Sequence, residues 1–390
     1  MALRRAFYAA RALTPFDCID DAVVLIEGSR IEWIGPRRQA PAHEGAEVID
    51  LGRATLAPGF VDIHVHGGGG LHCGESPEAL FAVSRRLAAQ GTTAFLPTLG
   101  GVADFEELLA QLRMVHEAGA AKAPGAHIAG IHLEGPFLSP DPRARGSQSV
   151  AAMRSPSVAE FDRMAEAAGG SLRYMTIAPE LPGALAVIER MVAAGVVPSA
   201  GHTTASYQEM ERAIAAGLKS VCHTFNGMPP MHHRDPGVVG AALTRPELNA
   251  ELIADGHHVD PVVMRILYRA KGADGITLVT DNTRWAGLPD GRYPRPGGGA
   301  VIKERGRCWV EGGSLAGSVA PMNAIVRTFV SATGAPLAEA VQMASFNPAR
   351  LVGLEGKGRL APGCDADLVA LDETLDVVLT VAGGEVVYRR

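Results

Sequence analysis

Between residues 61 and 282 short apolar stretches alternate with helical periods, a pattern that few folds tolerate. The stretches are VDIHVH (61–66), TAFLPT (93–98), HIAGIHLEG (127–135), LRYMTIAPE (172–180), VVPSAGH (196–202), KSVCHTFN (219–226), ELIADGHH (251–258) and ITLVTDN (276–282). Helical repeats such as FEELLAQLRMVHEAG and YQEMERAIAAG fall between them. Strands that are apolar throughout belong to a parallel sheet covered by helices. Eight of them in about 290 residues favour a closed (β/α)8 barrel, with an open doubly wound sheet as the alternative.

The chain ends read differently. AFYAARAL, AVVLIEG, RIEWIG and AEVIDL precede the barrel pattern, and CDADLVALD, LDVVLTVAGG and EVVYRR follow it. All are short and strand-like, bounded by Gly, Pro and charged turns. Neither group is large enough to bury a core alone, so the two are expected to pair into one small β-sandwich domain. The expected division is 1–56 and 353–390 for the small domain and 57–352 for the catalytic barrel.

Polar residues interrupt this pattern at one place, the C-terminal strand ends. They are His64, His66, Glu134, His202, His223, His258 and Asp281. A lone histidine on an apolar strand is commonly a hydrogen-bonded core residue, but that reading weakens when strand after strand ends alike. Barrels carry their active sites at this rim. His64 and His66 are two apart, so both side chains point to the same side of their strand. Imidazoles and carboxylates converging from several strands suit Zn²⁺ or a similar divalent ion. Such an ion activates water, and Asp281, on the last strand, is positioned by sequence to serve as the base. The chemistry implied is hydrolysis of an amide or a related carbonyl compound.

Composition narrows the partners. Hydrophobic residues make up 47% and charged residues 20%, with a net charge of -6 and no run of Lys or Arg. Nucleic acid and anionic membrane are therefore not expected as partners. No window approaches 18 apolar residues without a charge, so no membrane span is expected. The five Cys form no CxxC pair, which fits a reducing compartment, read here as the cytoplasm. MALRRAFYAARAL is taken as a first strand rather than a targeting segment.

APGFVDIHVHG (57–67), HLEGPF (132–137), AGHT (200–203), CHTFNGMPP (222–230), DPGVVG (235–240), ADGHHV (254–259), VTD (279–281) and GSLAGS (313–318) together resemble the amidohydrolase superfamily. Within it, HLEGPF with the HTFNGMPP stretch is similar to the N-acetylglucosamine-6-phosphate deacetylases. The resemblance implies that Glu134, His202 and His223 hold a principal metal ion. His64 and His66 would bind a second, giving one or two ions per subunit, Zn²⁺ first and Fe²⁺, Mn²⁺ or Co²⁺ as alternatives. It implies Asp281 as catalytic acid/base and His258 on the acetyl carbonyl or adjacent hydroxyl. Asn226 and Gly227 would contact the sugar phosphate, and Leu315 would pack on the acetyl methyl. Arg234 would bind phosphate in the neighbouring subunit's site, which implies a homodimer.

The chain departs from that family at several points. Gln148 stands where a histidine is expected, Arg284 and Trp285 add bulk and charge after Asp281, and LHCGES (71–76) lacks an expected aspartate. None is expected to touch the proposed metal set, so the chemistry is better determined than the substrate. Deacetylation of N-acetylgalactosamine-6-phosphate, of an unphosphorylated amino sugar or of another N-acyl amine is the alternative. His127 and His132 are expected on the strand ending in Glu134, with His132 packing behind the ligands. His72 and Cys73 are expected in a loop near the glycines of GGGG.

Overall fold

The computed structural model describes residues 3–121, 123–295 and 298–390. Met1 and Ala2, at the start of the expected first strand, lie outside these, and that strand runs Arg4–Leu13.

The eight apolar stretches form eight strands of one parallel sheet: Phe60–Val65, Thr92–Gly100, Ile131–Glu134, Leu172–Ile177, Val197–Ala200, Ser220–Val221, Asn249–Leu252 and Ile276–Leu278. Each pairs in parallel with the next in chain order. Beyond the eighth strand the chain returns to the first. Asp281 N donates to His64 O at 2.8 Å, His66 N donates to Asn282 O at 2.7 Å, and Val65 bridges Asn282 in parallel. The ring is thereby nearly closed, as a (β/α)8 barrel requires. Asp62 ties the same seam from inside, accepting from Thr280 Oγ1 at 2.5 Å.

Local signals start the helices where the sequence places them. Ser76, Asp104 and Ser157 cap Pro77–Ala88, Phe105–Gly119 and Val158–Ala167 through side-chain oxygens, and Ser206 forms a capping box with Glu209 ahead of Tyr207–Ala215. Their apolar faces seal the outside of the sheet. The barrel interior is partly polar: Tyr174 Oη lies 2.9 Å from Ser199 Oγ and 2.8 Å from Ser220 Oγ, with all three residues fully buried.

The terminal segments join one eight-stranded mixed sheet. Leu368–Leu371 runs antiparallel to Thr55–Pro58, which pairs with Arg4–Leu13 and so links the C-terminal strands to the N-terminal ones. Phe7, Val24, Leu56, Leu368 and Leu379 from both groups share one apolar cluster, the core that neither group could form alone. The small domain is fastened to the barrel by Thr380 Oγ1, which donates to Ala88 O at 2.8 Å.

Two features differ from the sequence expectation. His127 is not on the strand that ends in Glu134: His127–Ile128 is a separate short strand, and Gly130, at φ +148°, lies between the two. A three-stranded antiparallel sheet, Gly291–Pro294, Ala300–Glu304 and Arg307–Val310, is inserted after the eighth strand. Its hairpins carry glycine turns, but the amphipathic pattern is too short to separate from loop. Among the described residues, no helix is long and apolar enough to cross a membrane.

Candidate active site

The strand-end residues meet on one buried carboxylate. Glu134 Oε1 lies 3.0 Å from His202 Nε2, 3.3 Å from His223 Nε2 and 3.7 Å from His64 Nε2, while Oε2 lies 3.5 Å from His66 Nε2. Asp281 Oδ1 faces the HxH pair from the other side, 3.5 Å from His64 Nε2 and 3.4 Å from His66 Nε2. Glu134, His64, His202, His223 and Asp281 are all buried. His66, Glu134, His202, His223 and Asp281 line a cleft of about 850 Å³, a volume that suits a small-molecule ligand, with His64 buried behind them.

The backbone is bent to bring them there. His202 (φ +47°), His223 (φ +28°) and Asp281 (φ +47°) all adopt left-handed conformations, each costing on the order of 1–3 kcal/mol. Hydrogen bonds hold each one in place. Ser139 N donates to His202 O at 2.9 Å, Asn226 N donates to His223 O at 2.9 Å, and Ser318 N donates to Asp281 O at 2.8 Å. The rings are aligned as well: His202 Nδ1 pairs with Ala144 O at 2.9 Å and His223 Nδ1 with Asn226 O at 3.1 Å, which turns both Nε2 atoms toward Glu134. Gly227, at φ +61°, passes so near that an added Cβ would lie 3.0 Å from His202 Nδ1.

The donor set fits divalent metal ions. Glu134, His202 and His223 form one three-donor cluster, and His64, His66 and Glu134 form another. Four donors around a tetrahedral ion with bonds of about 2.0–2.2 Å stand roughly 3.3–3.6 Å apart. The separations of 3.4 and 3.5 Å among His64, His66, Glu134 and Asp281 match that spacing and are long for N–H···O bonds. His64 Nε2 is buried with no hydrogen-bond partner among the described residues, as expected of a lone pair meant for a cation. The site therefore provides one or two divalent-metal positions.

Electrostatics agree. Burial would raise Glu134, but His202 and His223 hold it well below the usual carboxylate range. Burial would likewise raise Asp281, yet His64 and His66 bring it down to about 2. Burial would lower His64, but Cys222 and Asp281 carry it well above its ordinary value. The cluster favours positive charge.

A family profile settles the kinship: that of the amidohydrolase family matches residues 55–387. The chain belongs to the amidohydrolase family. This amidohydrolase is 36% identical over 371 residues to the N-acetylgalactosamine-6-phosphate deacetylase of Escherichia coli O157:H7, covering 95% of each chain. It is 33% identical over 381 residues to the N-acetylglucosamine-6-phosphate deacetylase of Bacillus subtilis strain 168, covering 96% of this chain and 95% of that one. Among solved structures it resembles an aspartate-to-alanine variant of N-acetyl-D-glucosamine-6-phosphate deacetylase from Mycobacterium smegmatis in complex with N-acetyl-D-glucosamine-6-phosphate. The TM-score is 0.91, with 36% identity and 99% of each chain covered.

The remaining expected residues of the amidohydrolase divide between cleft and surface. His258, Asn226, Gly227 and Leu315 line the cleft with His202, His223 and Asp281. Arg234 does not: it is exposed on a loop, with Nη1 2.7 Å from His233 Nε2. Arg284 also lines the cleft, but its guanidinium is paired with Glu75 at 2.7 Å. Trp285 lines the cleft too, while packing against Val301, Cys308 and Ala316. His72 borders the cleft, lowered to about 3 by burial and by His66 and Arg284, while Cys73 is fully buried.

Sequence reasoning missed the supporting residues. Glu251, fully buried, accepts from His223 N at 3.0 Å and pairs with His64 Nδ1 at 3.1 Å. Its signal was available: a lone charge inside an apolar strand. Asp255 Oδ2 holds His258 Nδ1 at 2.7 Å. Cys222 Sγ lies 3.5 Å from His64 Nδ1, and these two with His132 make a third donor cluster. His132 itself is engaged by hydroxyls, 3.1 Å from Thr98 and 2.9 Å from Thr176, consistent with packing behind the ligands.

Proposed function

We propose that this enzyme hydrolyses the acetamido group of N-acetylglucosamine-6-phosphate, consuming one water and giving glucosamine-6-phosphate and acetate. The observation that carries the reading is the convergence of four imidazoles on the two oxygens of Glu134, with Asp281 facing two of them, His64 and His66. Kinship supplies the substrate class. N-acetylgalactosamine-6-phosphate is the second reading, because a relative acting on it is as similar to this chain as the glucosamine relatives are.

In this reading Glu134, His202 and His223 hold the principal ion, and His64 and His66 complete the second position. Zn²⁺ suits these nitrogen and oxygen donors, as Fe²⁺, Mn²⁺ and Co²⁺ also do. A bound divalent ion supplies Lewis acidity, polarising the acetyl carbonyl and acidifying the attacking water. Asp281, ionised at neutral pH, takes the proton from water and hands it to the departing nitrogen as the C–N bond breaks. His258, oriented through Nδ1 by Asp255, offers Nε2 to the acetyl oxygen, a contact that strengthens as negative charge develops there. Leu315 packs on the acetyl methyl, and Asn226 and the Gly227 backbone contact the sugar phosphate.

Arg234 is exposed and lies outside its own subunit's cleft, which supports its insertion into the cleft of a second copy in a homodimer. A planar guanidinium suits a phosphate. The five cysteines, Cys18, Cys73, Cys222, Cys308 and Cys364, are unpaired, in keeping with the cytoplasm. The same reading divides the chain into a small domain of 1–56 with 353–390 and a catalytic barrel of 57–352.

The test is acetate release from N-acetylglucosamine-6-phosphate, its galactosamine epimer and unphosphorylated N-acetylglucosamine, with protein loaded with Zn²⁺, Fe²⁺ or Mn²⁺. Turnover of the first compound, lost in Asp281→Asn, is the expected result. Turnover of the epimer alone selects the second reading. No turnover of any of the three by metal-loaded protein rejects the substrate class.

A further inference from the structure

The two oxygens of Glu134 have different company. Oε1 faces His202 and His223, and Oε2 faces His66. Oε2 has a further neighbour, the side-chain amide of Gln148, which donates to it at 2.6 Å. Contrary to the sequence expectation, Gln148 does touch the metal set, because its loop folds back over the strand end that carries Glu134. That bond falls on the oxygen that an ion between His64 and His66 would use. We propose that Gln148 weakens the second metal position, so that the chain holds one ion tightly and the other loosely. The inference rests on the metal-hydrolase reading above and concerns only which of its two positions fills.

The argument is one of charge and competition. An amide N–H carries the positive end of its dipole, and here it is aimed at the carboxylate oxygen from the cleft side. A cation approaching Oε2 meets that positive end and must lengthen or displace a charge-assisted hydrogen bond. Oε1 carries no comparable burden. Its neighbours are imidazole Nε2 atoms whose Nδ1 partners, Ala144 O and Asn226 O, take the ring N–H and leave Nε2 free to bind metal.

Gln148 is held there by its own loop rather than by the barrel. Its backbone N donates to Arg145 O at 3.0 Å, and the neighbouring Ser147 carbonyl accepts from Arg295, which follows the first strand of the inserted sheet. The side chain is half-buried on the cleft wall. Removing the amide therefore alters the metal centre without dismantling the strands that build it.

The experiment is calorimetric titration of metal-free protein with Zn²⁺, with bound zinc counted by elemental analysis. Wild type, Gln148→Ala and Gln148→Leu are compared, the leucine keeping side-chain bulk should the alanine fold poorly. Wild type is expected to show one tight and one weaker ion. Both variants are expected to tighten the weaker step by about tenfold, the value of losing one charge-assisted competitor, with the first step unchanged. In a His66→Ala background the difference between Gln148 and its variants should vanish. Two equally tight ions in wild type, or a second step that is unchanged or weaker in the variants, overturns the proposal and leaves the metal-hydrolase reading standing. No zinc bound by wild type overturns both.

Discussion

Glu251 is the most informative single residue to change, because it supports two proposed ligands through one oxygen. Its Oε2 accepts from the His223 backbone N at 3.0 Å and meets His64 Nδ1 at 3.1 Å, in a site from which water is excluded. Glu251→Ala strands both donors, at roughly 1–3 kcal/mol each, so a loss of about 2–6 kcal/mol is expected. It also frees His223 from a bond that helps hold φ at +28°, and frees His64 to turn its Nε2 away from Glu134. Glu251→Gln keeps an acceptor oxygen of the same reach and loses only the charge. A charged acceptor exceeds a neutral one by about 1 kcal/mol per bond, so about 2 kcal/mol is expected. Burial raises the Glu251 carboxyl, but His64 brings it down to about 2, so the wild type carries the charge at neutral pH. The assay is thermal unfolding with and without saturating Zn²⁺, alongside zinc affinity by competition with a chelator. The order wild type, Gln, Ala should hold in both measurements. An alanine variant with wild-type melting and zinc affinity would refute the claim that Glu251 positions the ligands.

Three other outcomes are expected. Gly227→Ala places a Cβ 3.0 Å from both His202 Nδ1 and Ala144 O at φ +61°; it should lose at least about 1–2 kcal/mol from the left-handed backbone alone and bind zinc more weakly, read by melting and chelator competition. Lys357 is raised above its ordinary value, against the lowering effect of burial, by Asp367 at 2.6 Å and Asp365 at 3.0 Å. Its contribution is therefore full below pH 10.5 and lost as pH rises through the raised value. Lys357→Met, which leaves the buried Asp367 carboxylate without its cation and with only the Gly383 N bond, should cost about 3–5 kcal/mol at neutral pH, and its deficit in melting temperature should shrink in strong alkali. Arg234→Ala should weaken the phosphorylated substrate and leave its unphosphorylated analogue unaffected. Mixing it with Asp281→Asn should restore activity, since a mixed dimer has one cleft with an intact aspartate and a partner arginine; no restoration by mixtures that exchange subunits would refute the shared site.

The sequence alone determined the alternation of eight strands with helices and the set of side chains at the strand ends, while closure of the sheet into a barrel rests on the seam between His64–His66 and Asp281–Asn282. Strand periodicity is local: VDIHVH and VVPSAGH report their burial through their own composition, and the helix caps at Ser76, Asp104, Ser157 and Ser206 sit beside the turns they start. Parallel strands share one direction, so residues at their C-terminal ends must meet at one rim, and His64, Glu134, His202, His223 and Asp281 could be grouped before any distance was known. Tertiary structure alone decided which atom faces which. Gln148 and Glu134 are 14 positions apart and His64 and Glu251 are 187 apart, and no local period encodes those meetings. The fate of Arg284 and Trp285 was likewise invisible, because a guanidinium is neutralised only by the carboxylate that a distant loop brings to it, here Glu75. The inserted sheet escaped detection because its strands are short and half-exposed, with stability drawn from packing around Trp285 rather than from its own pattern. Composition and periodicity are written along the chain; the pairing of a donor with its acceptor exists only after the barrel has closed.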